Sequence, residues 1–458
     1  MAHVVVIGGG IAGLTAAYRL RQRDPGCRIT LIEQAPEPGG KLRAGSLAGV
    51  RVEAGAEAFL VRDPAVADLA AELGLAVVHP ARVPAALALG GRLLPIPAGT
   101  LVGVPADTSA LGDVATATPE PATTGPLLAA GQDVSVGELV RARYGSEVVD
   151  RLVDPMLGGV YAGRADGLSL ATTLPTLAAA ARTHDTLAGA VRAALGTSAG
   201  PATGLAAGAG AAPSPKPIFG TIEGGMSALV SALVDAAGAD LRLGLPVRGL
   251  HRTASGWRLV IGATRSPETL EADAVILAVP ARPAARLLHE VSPEAAAEVG
   301  VLDYASVALV ALALPGVVMP ELSGFLVPAP EGFATKAVTF IDQKWPHLAA
   351  PDLALVRASV GRYGDERVLQ RPDGDLVSLV RTELAVLLGR DLPVPVDATV
   401  RRWGGALPQY APGHLDRVRR AREALAGLPL ALAGAAYDGV GIPACVRSAG
   451  RAAEQILH

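Results

Sequence analysis

The chain has 458 residues and a formal net charge of −3; half of its residues are hydrophobic and 18% are charged. That length exceeds one hydrophobic core and fits two or three, and the near-neutral balance offers no strong field to nucleic acid or an anionic membrane. The two cysteines, Cys27 and Cys445, stand far apart and outside any C-x-x-C, so neither a metal site nor a dithiol relay is expected.

Met1-Ala2-His3 runs straight into Val4-Val5-Val6-Ile7, without the basic front and cleavage site of a signal peptide. No apolar run reaches the roughly 18 residues that suggest a membrane span. The expectation is a soluble, cytoplasmic protein, with peripheral membrane contact through a surface patch still open. Residues 3–7 read as a buried strand, 8–13 as a turn, 14–23 as a helix and 28–32 as a second parallel strand. Residues 65–73 read as a helix ending at Gly74. From about Val77, short apolar runs alternate with proline and glycine. The stretches 105–132 and 196–217 lack periodicity and large apolar residues, and read as loops or disorder. Between them, 135–145 and 147–156 read as helices. Glu223-Gly224-Gly225-Met226-Ser227 opens a helix reaching about Ala237. Strands follow at 241–247, 257–261 and 272–278, then at 307–314, 337–340 and 353–360. A helix at 375–388 comes next, and residues 430–458 read as strand, glycine loop and helix.

The first turn carries the chemistry. Gly8-Gly9-Gly10-Ile11-Ala12-Gly13 is a G-x-G-x-x-G between a strand and a helix. Gly8 permits the tight turn, Gly10 lets a pyrophosphate approach the backbone, and Gly13 lets helix and strand pack closely. The helix N-terminus supplies free N–H groups and a positive dipole end. Glu33, followed by Gln34, ends the second strand; a carboxylate there accepts hydrogen bonds from ribose hydroxyls and repels a 2′-phosphate.

Three further stretches bear on whether the dinucleotide is NAD or FAD. Pro38-Gly39-Gly40-Lys41-Leu42, then Gly55-Ala56-Glu57-Ala58, and finally Gly434 to Val446 resemble the glutathione-reductase-like flavoproteins, and within them the amine oxidase superfamily. The resemblance implies Gly40 and Lys41 near the flavin phosphates. It also implies a Gly441-Ile442-Pro443 loop whose helix faces the isoalloxazine, Val247 beside the adenine and Trp403 bordering the flavin. The implied fold is α/β: a split, Rossmann-like FAD domain (1–75, 218–292 and 400–458), a helical substrate lobe (76–217) and an inserted mixed-sheet substrate domain (293–399).

No second G-x-G-x-x-G follows a strand, so reduced flavin would pass its electrons to dioxygen or another external acceptor. Gly55-Ala56-Glu57-Ala58-Phe59-Leu60, Asp133 to Leu139, Asp154 to Gly163, Pro408-Gln409-Tyr410 and Gly441 to Ser448 resemble the protoporphyrinogen oxidases, and in particular the bacterial coproporphyrinogen III oxidases. This implies oxidation of a porphyrinogen to the porphyrin in haem biosynthesis, with dioxygen as acceptor and a ferrochelatase as a candidate pathway partner. The catalysis is flavin-centred and no general base is assigned. The four propionates of coproporphyrinogen call for cations in the pocket; Arg82 is the candidate, and Tyr161 and Gly163 match the family's substrate-facing stretch. Protoporphyrinogen IX is the alternative substrate. An amine oxidase or a carotenoid desaturase shares the FAD domain, and a partner-binding protein that has lost its flavin is argued against by the intact glycines and Glu33.

Overall fold

The computed structural model describes residues 2–197 and 217–457. A five-stranded parallel sheet runs in the order Asp240–Arg242, Arg28–Ile32, His3–Ile7, Ala274–Leu277, Leu430–Leu432. Its central strand is apolar throughout because both faces are covered. Val4 and Val6 pack under helices Ile11–Arg23, Met226–Ala237 and Ile442–Leu457. Val5 and Ile7 face the opposite layer, which includes the antiparallel meander of Val247–Thr253, Gly256–Ala263 and Ser266–Ala272. Full burial of such a side chain contributes about 1.5–3 kcal/mol. The chain thus returns three times to complete one layer, as the split-domain reading implies.

A second, seven-stranded sheet runs in the order Asp397–Gln409, Asp303–Pro315, Leu353–Val360, Thr335–Phe340, Gly324–Leu326, Ala85–Leu89, Arg92–Pro95. Every pair is antiparallel except Gly324–Leu326 with Ala85–Leu89. Helix Asp373–Leu388 covers one face through Leu376, Val380, Leu384 and Leu387. The other face meets the helical lobe through Leu87, Leu89 and Leu326. Further along, Ala311, Ala313 and Leu355 pack on Leu47, Val52 and Trp345.

Several sequence readings need correction. Residues 85–95, read as part of the helical lobe, form a hairpin of this sheet. Gly90 (φ +56°) and Gly91 (φ +74°) supply the positive dihedrals of its tight turn, so the alternating Ala-Leu text is strand. The strand Asp397–Gln409 places residues 400–409 in the same sheet rather than in the dinucleotide-binding layer. The run 241–247 is two strands, Asp240–Arg242 and Val247–Thr253, interrupted where Gly244 takes φ +70° ahead of Pro246. Residues 105–132 carry little regular structure but are packed: Leu111, Val114 and Leu128 are buried, and Glu120 binds the buried Arg143 at 3.0 Å. Most of the second low-complexity stretch, residues 198–216, lies outside the described residues.

Candidate functional site

The glycine turn is built by contacts that admit no side chain. Gly8 has φ +111°, and a Cβ there would lie 2.4 Å from the Ala278 carbonyl oxygen. A Cβ on Gly13 would lie 1.8 Å from the Gly8 oxygen, so helix Ile11–Arg23 sits directly on the turn. At Gly10 the nearest atom a Cβ would meet is Gly40 Cα, 4.0 Å away, and the helix starts there with no side-chain cap. The first-turn N–H groups following Gly10, including those of Ile11 and Ala12, are therefore left for a ligand.

The second glycine pair closes over the first. Gly39 N donates to Gly9 O at 2.7 Å, and Gly40 (φ +58°) faces Gly10. Glu33 holds the turn: Oε2 accepts from Gly9 N and Oε1 from Ala35 N, both at 2.7 Å. Gly244 N donates to Ala35 O at 2.9 Å and Leu245 N to Glu33 O at 3.0 Å, which brings the start of the Val247–Thr253 strand alongside the acid. Gln34 is exposed beside it.

Lys41 is largely buried, and among the described residues its side chain has no ion-pair or hydrogen-bond partner. Burial lowers its pKa, and the group acting on it electrostatically is Cys445, in the first turns of helix Ile442–Leu457. Burial pushes the Cys445 thiol up to about 11 despite the lysine, so the pair is no thiolate–ammonium couple. Lys41 is an unanswered cation between the first glycine turn and the last. Gly441 is exposed ahead of that helix, whose first residues, Ile442 and Pro443, are buried.

Gly55 is pinned by its surroundings: a Cβ would lie 2.0 Å from Lys41 O and 3.2 Å from the Trp403 ring. Ala56 N donates to Lys41 O at 3.0 Å, and Trp403 Nε1 to Ala54 O at 2.8 Å. Trp403 thus borders the turn that presents Lys41, and Ala58, farther along, is partly buried. Glu57 serves another purpose. Both its oxygens are taken by Lys344 (2.5 Å) and Arg357, which outweigh burial and hold its carboxyl down at about 2. It joins this turn to the seven-stranded sheet.

Tyr161 ends helix Asp154–Tyr161, and its ring meets Tyr410 edge-on at 5.9 Å. Burial raises its hydroxyl to about 12, against the opposing field of Arg62. Ala162 turns with φ +51°, and Gly163 is buried where a Cβ would strike Gln409 Oε1 at 2.0 Å. Gln409 Nε2 donates to Tyr161 O at 2.8 Å. Arg82 is exposed and has no ion-pair partner among the described residues. The sequence reading missed Arg62 beside Tyr161, the Glu57–Lys344–Arg357 cluster and Glu53. Burial raises Glu53 to about 7, and its Oε2 has no partner. Spacing along the chain gave no signal for these, since their partners lie far away in sequence, up to 300 positions for Glu57 and Arg357.

Two glycine turns facing each other, an uncapped helix start, an acid that holds the first turn and a partly buried lysine without a partner among the described residues fit a dinucleotide diphosphate. Bound FAD would supply two-electron chemistry; Gly10, Gly40 and Lys41 are the residues that would hold its diphosphate. Among the described residues no cluster suits a metal ion, and no helix is long and apolar enough to cross a membrane.

Residues 11–457 match the family described as flavin-containing amine oxidoreductase. The chain is 39% identical to coproporphyrinogen III oxidase of Mycobacterium tuberculosis, with 99% of this chain and 97% of that protein covered. It is 40% identical to the Mycobacterium leprae protein of the same name, over 98% and 97%. A crystal structure of a putative protoporphyrinogen oxidase from Exiguobacterium superposes with a TM-score of 0.85 at 30% identity, covering 99% of this chain and 98% of that one. The chain belongs to the flavin-containing amine oxidoreductases, in the branch of the coproporphyrinogen and protoporphyrinogen oxidases.

Proposed function

We propose that this protein is an FAD-dependent oxidase that converts coproporphyrinogen III to coproporphyrin III in haem biosynthesis, with dioxygen as acceptor. The observation that carries the reading is identity at the 39–40% level, over nearly the whole chain, to coproporphyrinogen III oxidases. The unanswered Lys41 and the open Gly10–Gly40 approach support FAD as the cofactor. Each turnover removes six electrons and six protons from the porphyrinogen in three two-electron steps; three dioxygen molecules become three hydrogen peroxide molecules. Protoporphyrinogen IX is the second reading, favoured by the name of the Exiguobacterium neighbour.

The test is aerobic oxidation of coproporphyrinogen III beside protoporphyrinogen IX, read by porphyrin fluorescence on a sample whose bound flavin is quantified. Faster coproporphyrin formation by a yellow protein supports the reading. Preference for protoporphyrinogen IX moves it to the second, and a flavin-loaded protein inert to both overturns it. Hand-off of product to a ferrochelatase and peripheral contact with a membrane are further expectations, to be tested by co-purification and vesicle sedimentation.

A further inference from the structure

Lys336 lies inside the protein with nothing to answer its charge. It is 6% exposed and, among the described residues, has no hydrogen-bond or ion-pair partner. The charged group that acts on it is another cation, Arg362. Lysines this deeply buried are rare unless paired, because an ammonium gives up its hydration without return. Burial first, and Arg362 second, lower its pKa to about 7.

Its position is built. Lys336 is the extra residue of a bulge in the Thr335–Phe340 strand, where the register with Leu353–Val360 slips between Thr335 and Ala337. Arg362 is committed to the frame around it, donating to Phe333 O and Val327 O, both at 2.9 Å. The next residue, Tyr363, donates its backbone N–H to Ala162 O at 2.7 Å. The strand itself packs against helix Asp154–Tyr161. Arg362 therefore stands by the segment that ends in Tyr161 and Gly163, and the strand that carries Lys336 packs on the same helix. The buried carboxylate of that segment, Asp154, acts on Arg362 and takes a hydrogen bond from Ala165 N at 2.7 Å; it is not among the groups acting on Lys336.

We propose that Lys336, backed by Arg362, is an anion-binding position that takes one carboxylate of the porphyrinogen. This rests on the function proposed above and deepens it: the bulged lysine would supply a charge that Arg82, out on the surface, does not. A propionate would give the ammonium its missing partner in a dry setting, where a charge-assisted hydrogen bond is strong and directional. Coproporphyrinogen carries two more propionates than protoporphyrinogen, so the position would contribute to telling them apart if it meets one of that extra pair.

The experiment uses the flavin-loaded protein and the variants Lys336→Met and Lys336→Arg. Coproporphyrin III binding is titrated by fluorescence, melting is followed without porphyrin, and KM and kcat are measured on coproporphyrinogen III. For Lys336→Met we expect coproporphyrin affinity to fall and KM to rise about tenfold or more, a smaller loss in kcat, and a melting temperature at or above that of the parent, since a costly buried charge is gone. Lys336→Arg recovers part of the affinity. Wild-type affinity and KM in a folded Lys336→Met protein overturn the inference while leaving the oxidase reading intact. Should Lys336→Met not fold, equal affinities of Lys336→Arg and of Lys336→Gln overturn it instead. A parent protein that neither binds coproporphyrin nor oxidises its porphyrinogen overturns both.

Discussion

Glu57 and Arg357 meet as a buried ion pair although 300 positions separate them in the chain. Arg357 also donates to the Glu53 carbonyl at 3.1 Å, and Lys344 takes the second Glu57 oxygen. One carboxylate thus fixes the turn between Lys41 and Phe59 to the middle of the seven-stranded sheet. Replacing it with glutamine leaves two partly buried cations without their counter-charge and should cost up to about 3 kcal/mol. Chemical unfolding of Glu57→Gln beside the parent measures this.

The same carboxylate sets an acid limit. Its folded pKa, about 2, lies below its ordinary value of 4.5. The pair's contribution is therefore complete above about pH 4.5 and is lost as pH falls toward 2. In the Glu57→Gln variant, melting temperature should depend less steeply on pH over that window.

Glu53 behaves in the opposite sense. Burial raises its folded pKa to about 7, against the Met226 N–H at 2.7 Å and the Arg357 and Arg51 charges, with Glu57 adding to the rise. The folded state holds this proton more tightly than the unfolded state, so stability is greatest below about pH 4.5 and falls as pH rises through 7. Glu53→Gln keeps an acceptor for Met226 N and removes the ionisation. We expect it to raise the melting temperature at pH 8 and to have little effect at pH 5; equal shifts at both values would count against the assignment.

Gly13→Ala tests the close packing of helix on turn. A methyl group 1.8 Å from the Gly8 oxygen must push helix Ile11–Arg23 off the turn. The expected result is loss of bound flavin, read from the ratio of visible to ultraviolet absorbance. Retention of full flavin content would show that the turn can move.

Lys41→Met removes a cation with no hydrogen-bond or ion-pair partner among the described residues. Apoprotein stability should hold or rise, and flavin affinity should fall by about tenfold, the equivalent of one charge-assisted contact of roughly 1.4 kcal/mol. Flavin titration of the apoprotein separates this from a general loss of structure.

The parallel sheet was legible because its strands are apolar on both faces and its turns demand glycine. His3–Ile7 and Arg28–Ile32 follow directly from Val4-Val5-Val6 and Ile29-Thr30-Leu31 bounded by Gly8 and Glu33. The seven-stranded sheet was harder to read. Its Ala85–Leu89 strand joins Gly324–Leu326 in parallel across more than 200 positions, and alanine-rich text favours no period. The first glycine turn was legible because Gly8 and Gly13 each answer a steric demand of the fold, while Gly10 meets nothing nearer than 4.0 Å and would answer only to a ligand. Arg82 was chosen by proximity in sequence to an apolar run, a cue without physical content for an exposed side chain. Lys336 stood in plain view as a charge within strand text, Thr335-Lys336-Ala337-Val338, and only its burial and lack of a partner give it meaning.

The order of the parallel sheet carries a consequence for biosynthesis. Its edge strand Leu430–Leu432 and helix Ile442–Leu457 come more than 400 residues after the first glycine turn in the chain. During synthesis the first glycine turn must wait through more than 400 residues for the wall that faces it. We expect flavin to be captured only after helix Ile442–Leu457 has been made, and a chain cut ahead of that helix to keep the first glycine turn and lose the flavin.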